Sequence, residues 1–193
     1  MEAKIMEIAQ RLRGLREILE LTPEQMAAYT DCTVQEYLAY ESGESDFGFT
    51  FLYECAKVFG IDLVELLTGE KPKLSHYTVV RAGKGLPIRR RAGFTYEHLA
   101  YRIKDKLSEP FLVTAPYSPE EQNAPIAMSR HKGQEFDYII RGSLKVQLKN
   151  KVEVLSEGDS IFYDSGDPHG MIATGGSDCV FLAVVMKDPG AEE

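Results

Sequence analysis

Ser129-Arg130-His131-Lys132-Gly133-Gln134-Glu135 with Gly142, and Gly158-Asp159-Ser160 with Asp164-Ser165-Gly166-Asp167-Pro168-His169, are the stretches whose reading decides the fold. Between them lie two strand-like runs, Phe136 to Arg141 and Ser143 to Leu148, with Gly142 as the turn and a second break at Asn150. His131 and Glu135 stand four residues apart, an even spacing that brings both side chains to one face of an extended strand. His169, just past a Gly-Asp-Pro turn, completes a set of two imidazoles and one carboxylate, which suits iron or a similar divalent metal.

These residues resemble the two motifs of the cupin family, the first roughly G-x5-H-x-H-x3-4-E-x6-G and the second G-x5-P-x-G-x2-H-x3-N. His131, Glu135 and Gly142 match the first motif; Gly158, Gly166 and His169 match the second. Ser129 stands in place of the first histidine, Asp164 in place of the proline and Ala173 in place of the asparagine. The resemblance implies an antiparallel β-barrel of jelly-roll type, with a divalent metal (Fe, Zn, Ni or Mn) on His131, Glu135 and His169. Cupins that have lost their metal hold an organic ligand at the barrel mouth, where the same histidines would be hydrogen-bonding groups beside Ser129. His98, between Glu97 and Leu99, is a further candidate for that ligand, or else a structural histidine between strands.

Composition fits these readings. The chain of 193 residues is long enough for one large domain or two small ones, and its 44% hydrophobic content is ordinary for a globular protein. No apolar run approaches the ~18 residues of a membrane helix, so no membrane partner is expected. Cys32, Cys55 and Cys179 are few, odd in number and widely spaced, which fits small buried hydrophobes in a reducing cytoplasm. The net charge of -8 is divided unevenly: residues 1–70 hold five Lys/Arg against fourteen Asp/Glu, or -9, and residues 71–193 hold seventeen against sixteen, or +1.

The acidic part reads as helices. Ile5, Ile8, Ala9, Leu12, Leu15, Ile18 and Leu19 form one stripe from about Ala3 to Leu21. Thr22-Pro23-Glu24-Gln25 and Thr33-Val34-Gln35-Glu36 each read as a capping box opening a helix, the second running toward Tyr40 and ending at Ser42-Gly43. Two more helices follow, about Thr50 to Val58 and Asp62 to Leu67. These five helices resemble the helix-turn-helix domain of phage-repressor-like, Xre-type regulators, through Gln25-Met26-Ala27, Tyr40-Glu41-Ser42-Gly43 and the ending Ala56 to Leu67. The resemblance implies that the third helix reads the major groove, with Thr33, Gln35, Glu36, Tyr37 and Tyr40 at the DNA. Gln35 suits an adenine edge. No Lys or Arg lies between Arg16 and Lys57, so Arg11, Arg13 and Arg16 are the candidates for phosphate contact. The alternative is a helical fold kept for packing or dimerisation.

A linker over 70–76 then separates the helix-turn-helix domain (1–69) from a cupin barrel (77–187), with a tail over 188–193. Strands are expected at Tyr77 to Val80, Ile88 to Arg91, Tyr96 to Tyr101, Phe111 to Thr114 and Val180 to Val185. Arg89-Arg90-Arg91 is a solvated turn or a site for an acidic effector. The whole resembles bacterial transcription regulators in which the helical domain binds operator DNA and the cupin senses a small-molecule effector or serves a homodimer or higher oligomer. The same pair of domains also resembles a mononuclear non-haem iron enzyme, hydroxypropylphosphonate epoxidase. That enzyme holds its phosphonate with a lysine where this chain has Glu20. A metal-free cupin binding a metabolite, with no DNA role, is the third reading.

Overall fold

The computed structural model describes residues 2–89 and 93–187; Arg90, Arg91 and the expected tail over 188–193 lie outside the described residues. Five helices come first: α1 (Glu2–Ile18), α2 (Pro23–Tyr29), α3 (Val34–Glu41), α4 (Phe49–Val58) and α5 (Leu63–Thr68). Both expected capping boxes form, the threonine hydroxyl accepting the backbone N–H three residues on while Gln25 or Glu36 accepts the threonine N–H. Asp62 caps α5 through the Val64 N–H, and Gly69 closes it in the left-handed region at φ 78°. Leu12, Met26, Tyr37, Cys55 and Leu66 are fully buried at the centre of this unit.

The chain divides into two compact units, the first running to Tyr77 and taking in Arg102–Asp105, the second taking Thr78–Tyr101 and the residues from Lys106. The expected linker is therefore not free chain, because Leu74 donates to the Arg102 carbonyl and accepts from the Lys104 N–H. Nor is Tyr77 to Val80 a strand; Tyr77 and Val79 are 76% and 54% exposed, with no ladder partner among the described residues.

In the second unit every ladder is antiparallel. β1 (Leu86–Arg89), β2 (Thr95–His98), β3 (Ser108–Ala115), β4 (Gln134–Arg141), β7 (Ser160–Asp164) and β9 (Cys179–Met186) make a sheet in the order β1-β2-β3-β9-β4-β7. β5 (Ser143–Leu148), β6 (Lys151–Ser156) and β8 (His169–Thr174) make a second, in the order β6-β5-β8. The two sheets form the antiparallel jelly roll expected from the sequence, built among the described residues as two hydrogen-bonded sheets. Inward-facing Phe111, Val113, Ile139, Leu144, Val146 and Phe181 are fully buried between them. Gly142, at φ 82°, carries the chain from β4 into β5, and a side chain there would collide with the Asp178 carbonyl.

Candidate functional site

Three elements bring the candidate ligands together. Glu135 points inward from β4, His169 opens β8 in the opposite sheet, and His131 lies just before β4 rather than within it. The backbone extends the ladder to reach His131, whose N–H donates to the Ser165 carbonyl while the Ser165 N–H donates to Gly133. His131 Nε2 lies 3.0 Å from Glu135 Oε2, and His169 Nε2 lies 3.9 Å from the same oxygen. The imidazoles are perpendicular, 5.1 Å apart between centroids. All three side chains are buried, and one ligand atom from each falls within 4.8 Å of the others.

The surroundings fix their orientation. His169 Nδ1 lies 2.9 Å from the Asp167 carbonyl; only a protonated Nδ1 can donate there, which leaves the Nε2 lone pair for a cation. Burial pushes the His169 pKa down, so the ring stays neutral, as a ligand must. Asp164, in place of the motif's proline, accepts the Gly166 N–H at 2.8 Å and so makes the turn by another route. Gly170 lies so close to Ala127 that a side chain would meet the Ala127 carbonyl.

Asp137 and Tyr163 adjoin the site, and the sequence reading passed over both. Asp137 follows Glu135 by two residues and so faces the same way, and Tyr163 pairs with Glu135 across the ladder. The Tyr163 hydroxyl donates to Asp137 Oδ2 at 3.4 Å. Burial, and then the Glu135 charge, push the Asp137 carboxyl well above the usual carboxylate range, and burial likewise raises Tyr163. Asp137 Oδ1 and Ser165 Oγ are buried with no hydrogen-bond partner among the described residues. A polar group entering the site would satisfy such atoms, and this fits a divalent metal with its ligands.

The other two candidates fall elsewhere. Ser129 is exposed and serves through its backbone, which exchanges hydrogen bonds with His169 at 2.7 and 2.9 Å. His98 is fully buried, its Nε2 2.5 Å from Glu109 Oε2 and its Nδ1 accepting the Ala100 N–H at 3.0 Å. With both nitrogens engaged it has nothing to offer a ligand. Lys106 completes that buried cluster, 3.8 Å from Glu109.

On the helical unit Gln35 is exposed on α3, and Leu38, which the sequence reading passed over, lies three residues on at 47% exposure. Thr33 and Glu36 are exposed and tied to each other in the cap. Tyr37 cannot reach a base edge: it is fully buried, its hydroxyl 3.2 Å from Glu41 Oε1. Tyr40 is half-buried, 4.4 Å from Phe51 between ring centroids. Two of the three arginines expected at phosphates are committed to the fold. Arg11 donates to the Leu66 and Leu67 carbonyls at 2.6 and 3.0 Å, and Arg16 holds Glu41 bidentately at 2.7 and 3.0 Å. Arg13 pairs with Glu17 at the surface. Cys32, Cys55 and Cys179 are free thiols.

Fold and site thus define a two-domain protein, a helical head carried with a jelly-roll sandwich. Residues 9–72 match the helix-turn-helix domain and residues 117–185 match the cupin domain. The chain is therefore a helix-turn-helix protein with a C-terminal cupin, and the pairing fits a DNA-binding transcription regulator with a cupin sensor. An HTH_3 family transcriptional regulator from Vibrio cholerae is similar in fold, at 21% identity and TM-score 0.68 over 96% of this chain and 97% of that one. So are HppE in its Fe(II) form, at 20% identity and TM-score 0.51 over 94% and 98%, and hydroxypropylphosphonic acid epoxidase from S. wedmorenis, at 20% and 0.51 over 94% and 97%. No curated protein matches. Among the described residues no helix is long and apolar enough to cross a membrane.

Proposed function

We propose that this protein is an operator-binding regulator whose cupin unit holds a divalent metal on His131, Glu135 and His169 and reads a small molecule there. The observation that carries the reading is the convergence of two buried imidazoles and one carboxylate, with Asp167 fixing the tautomer that frees His169 Nε2. A bound metal would supply open positions for a donor atom of the effector. Iron, zinc, nickel and manganese all accept this donor set. The residues themselves hold and orient: Asp167 aims His169, and Asp137 with Tyr163 presents polar atoms to whatever enters. Acting on DNA, the protein would work in the cytoplasm.

At the DNA, α3 would read through Gln35 and Leu38, a glutamine suited to adenine and an apolar side chain suited to the thymine methyl. The test is elemental analysis of protein purified without chelators, followed by retention on DNA from the neighbouring promoter. We expect about one metal per protomer, consistent with one donor set of this kind, and retention that changes on metal removal and weakens in Gln35→Ala. Metal-independent retention that survives Gln35→Ala would defeat the reading.

One observation favours a second reading, a non-haem iron enzyme with a helical unit that does not read DNA. Arg11 and Arg16 are spent on carbonyls and on Glu41, leaving the acidic unit little with which to neutralise phosphate. Oxygen uptake by the Fe(II)-loaded protein, together with no DNA retention at low salt, would favour it.

A further inference from the structure

The near-even charge of residues 71–193 conceals a second division. Residues 71–106 hold ten Lys/Arg against two Asp/Glu, or +8, and residues 107–193 hold seven against fourteen, or -7. The stretch that follows the five helices is thus strongly basic between two acidic ones. Exposed Lys and Arg are ordinary on a protein surface, but the fold does something more specific with part of this stretch.

Leu74 and Ile103 form an isolated parallel bridge, closed by the Leu74 N–H donating to the Arg102 carbonyl at 3.0 Å and the Lys104 N–H donating to the Leu74 carbonyl at 2.9 Å. Arg102–Asp105 consequently belongs to the compact unit of the five helices, although the residues on both sides of it belong to the other unit. The bridge sets Lys73 beside Arg102 and Lys104, at the ~4.8 Å spacing of neighbouring extended segments. All three side chains are exposed. Lys104 lies 3.9 Å from Asp105, and a pair between two such exposed side chains contributes little. Lys71, by contrast, leans on the half-buried Glu65 of α5 at 3.7 Å.

The helices themselves are short of cations for a duplex. Residues 1–70 carry five Lys/Arg against fourteen Asp/Glu, and Arg11 and Arg16 are engaged with carbonyls and with Glu41. A duplex presents one negative charge per ~1.7 Å, and neutralising it supplies most sequence-independent affinity. A compact unit of this size, with a radius of gyration of ~12 Å, is ~30 Å across. That is close to one turn of duplex at ~34 Å, so phosphates on either side of the α3 contact come within its reach. We infer that Lys73, Arg102 and Lys104 are the cations that grip operator phosphates, the return of the chain at 102–105 lending the acidic helical unit charge that its helices lack. This rests on the operator-binding reading and adds which residues hold the backbone; such contacts supply affinity and register without reading sequence.

The test is retention of the full chain on DNA from the neighbouring promoter and on an unrelated duplex of equal length, at salt from 50 to 200 mM. Three contacts at ~0.9 each give the wild type a log–log slope of about 2.7 in magnitude, an affinity loss of about 40-fold over that range. Lys73→Gln and Lys104→Gln should each lower the slope by ~0.9 on both duplexes. Combining them with Arg102→Gln should bring it near zero with unchanged circular dichroism. Lys151→Gln, exposed on β6 of the second unit, should keep the wild-type slope. Should the triple variant misfold, acetylation of the wild type decides: DNA should slow modification of Lys73 and Lys104 and not of Lys151. If operator preference depends on Gln35 while the slope survives the folded triple variant, or Lys73 and Lys104 acetylate as fast with DNA as without, the inference is overturned and the operator reading stands. A slope carried by these three cations with no preference for operator DNA would uphold the inference and defeat that reading. No retention of either duplex at the lowest salt would defeat both.

Discussion

Glu135 and Asp137 are two carboxyls on one face of one strand with opposite expected effects. Glu135 is the carboxylate of the candidate donor set. Replacing a residue that merely orients a ligand costs 10–100-fold in metal affinity, so Glu135→Gln and His169→Ala should each cost at least ~100-fold; metal titration by calorimetry checks this, and unchanged affinity would remove both residues from the site. Asp137 has its carboxyl raised by burial and by Glu135. Between the unfolded value of 3.8 and the raised native one, the native state holds a proton that the unfolded chain releases. Stability linked to Asp137 is therefore present below the unfolded value and lost as pH rises through that window. Metal-stripped Asp137→Asn, which cannot ionise, should match the wild type near pH 4 and become the more stable of the two as pH rises toward 7. A lower Tm at pH 7 would mean that the carboxyl supports the fold. Asp137 was within reach of the sequence, since a separation of two from Glu135 places it on the same face. The ties on His98 and Tyr37 were not, because they depend on Glu109 and Glu41, whose approach is tertiary or hidden in a helical turn.

At the scale of elements, the helices follow local rules. Thr33→Ala should cost about 1 kcal/mol through loss of the cap, and Thr33→Ser much less; chemical denaturation of the helical transition measures it. The strands depend on distant backbone. Gly142→Ala would force a left-handed alanine, at roughly 1–2 kcal/mol, against the Asp178 carbonyl as well. Gly170→Ala, next to His169, should push the segment at Ala127 outward and lower metal affinity along with Tm; a Tm loss with affinity unchanged would separate that segment from the site. Capping residues announced α2 and α3 at their first residues. β6, β7 and β8 escaped the sequence reading, although Lys151-Val152-Glu153-Val154 alternates and Ser160-Ile161-Phe162-Tyr163 is rich in strand formers. Conversely, Tyr77-Thr78-Val79-Val80 has strand composition but no ladder partner among the described residues, and composition alone makes no ladder.

For the whole molecule, charge sets the expected DNA behaviour. With Arg11 and Arg16 engaged internally, retention should fall with salt along a shallow line, its log–log slope about 1–3 in magnitude per protomer at ~0.9 per phosphate neutralised. A slope of about six or more would require Arg11 and Arg16 to leave Leu66, Leu67 and Glu41 on binding. That outcome would be seen as loss of the slope in Arg11→Met and Arg16→Met.

The sequence by itself determined the helical head, the Gly142 turn and the candidacy of His131, Glu135 and His169, because caps, turns and side-chain alternation act over a few residues. Tertiary structure alone decided that His169 arrives from the opposite sheet, that Asp137 and Ser165 bring unsatisfied polar atoms to the interior, and that Arg11, Arg16, Tyr37 and His98 serve the fold. The physical reason is that whether a side chain is free to bind depends on the groups that folding brings against it, whether four residues on, as Glu41 is from Tyr37, or 25 to 56 away, as for Arg16 and Arg11.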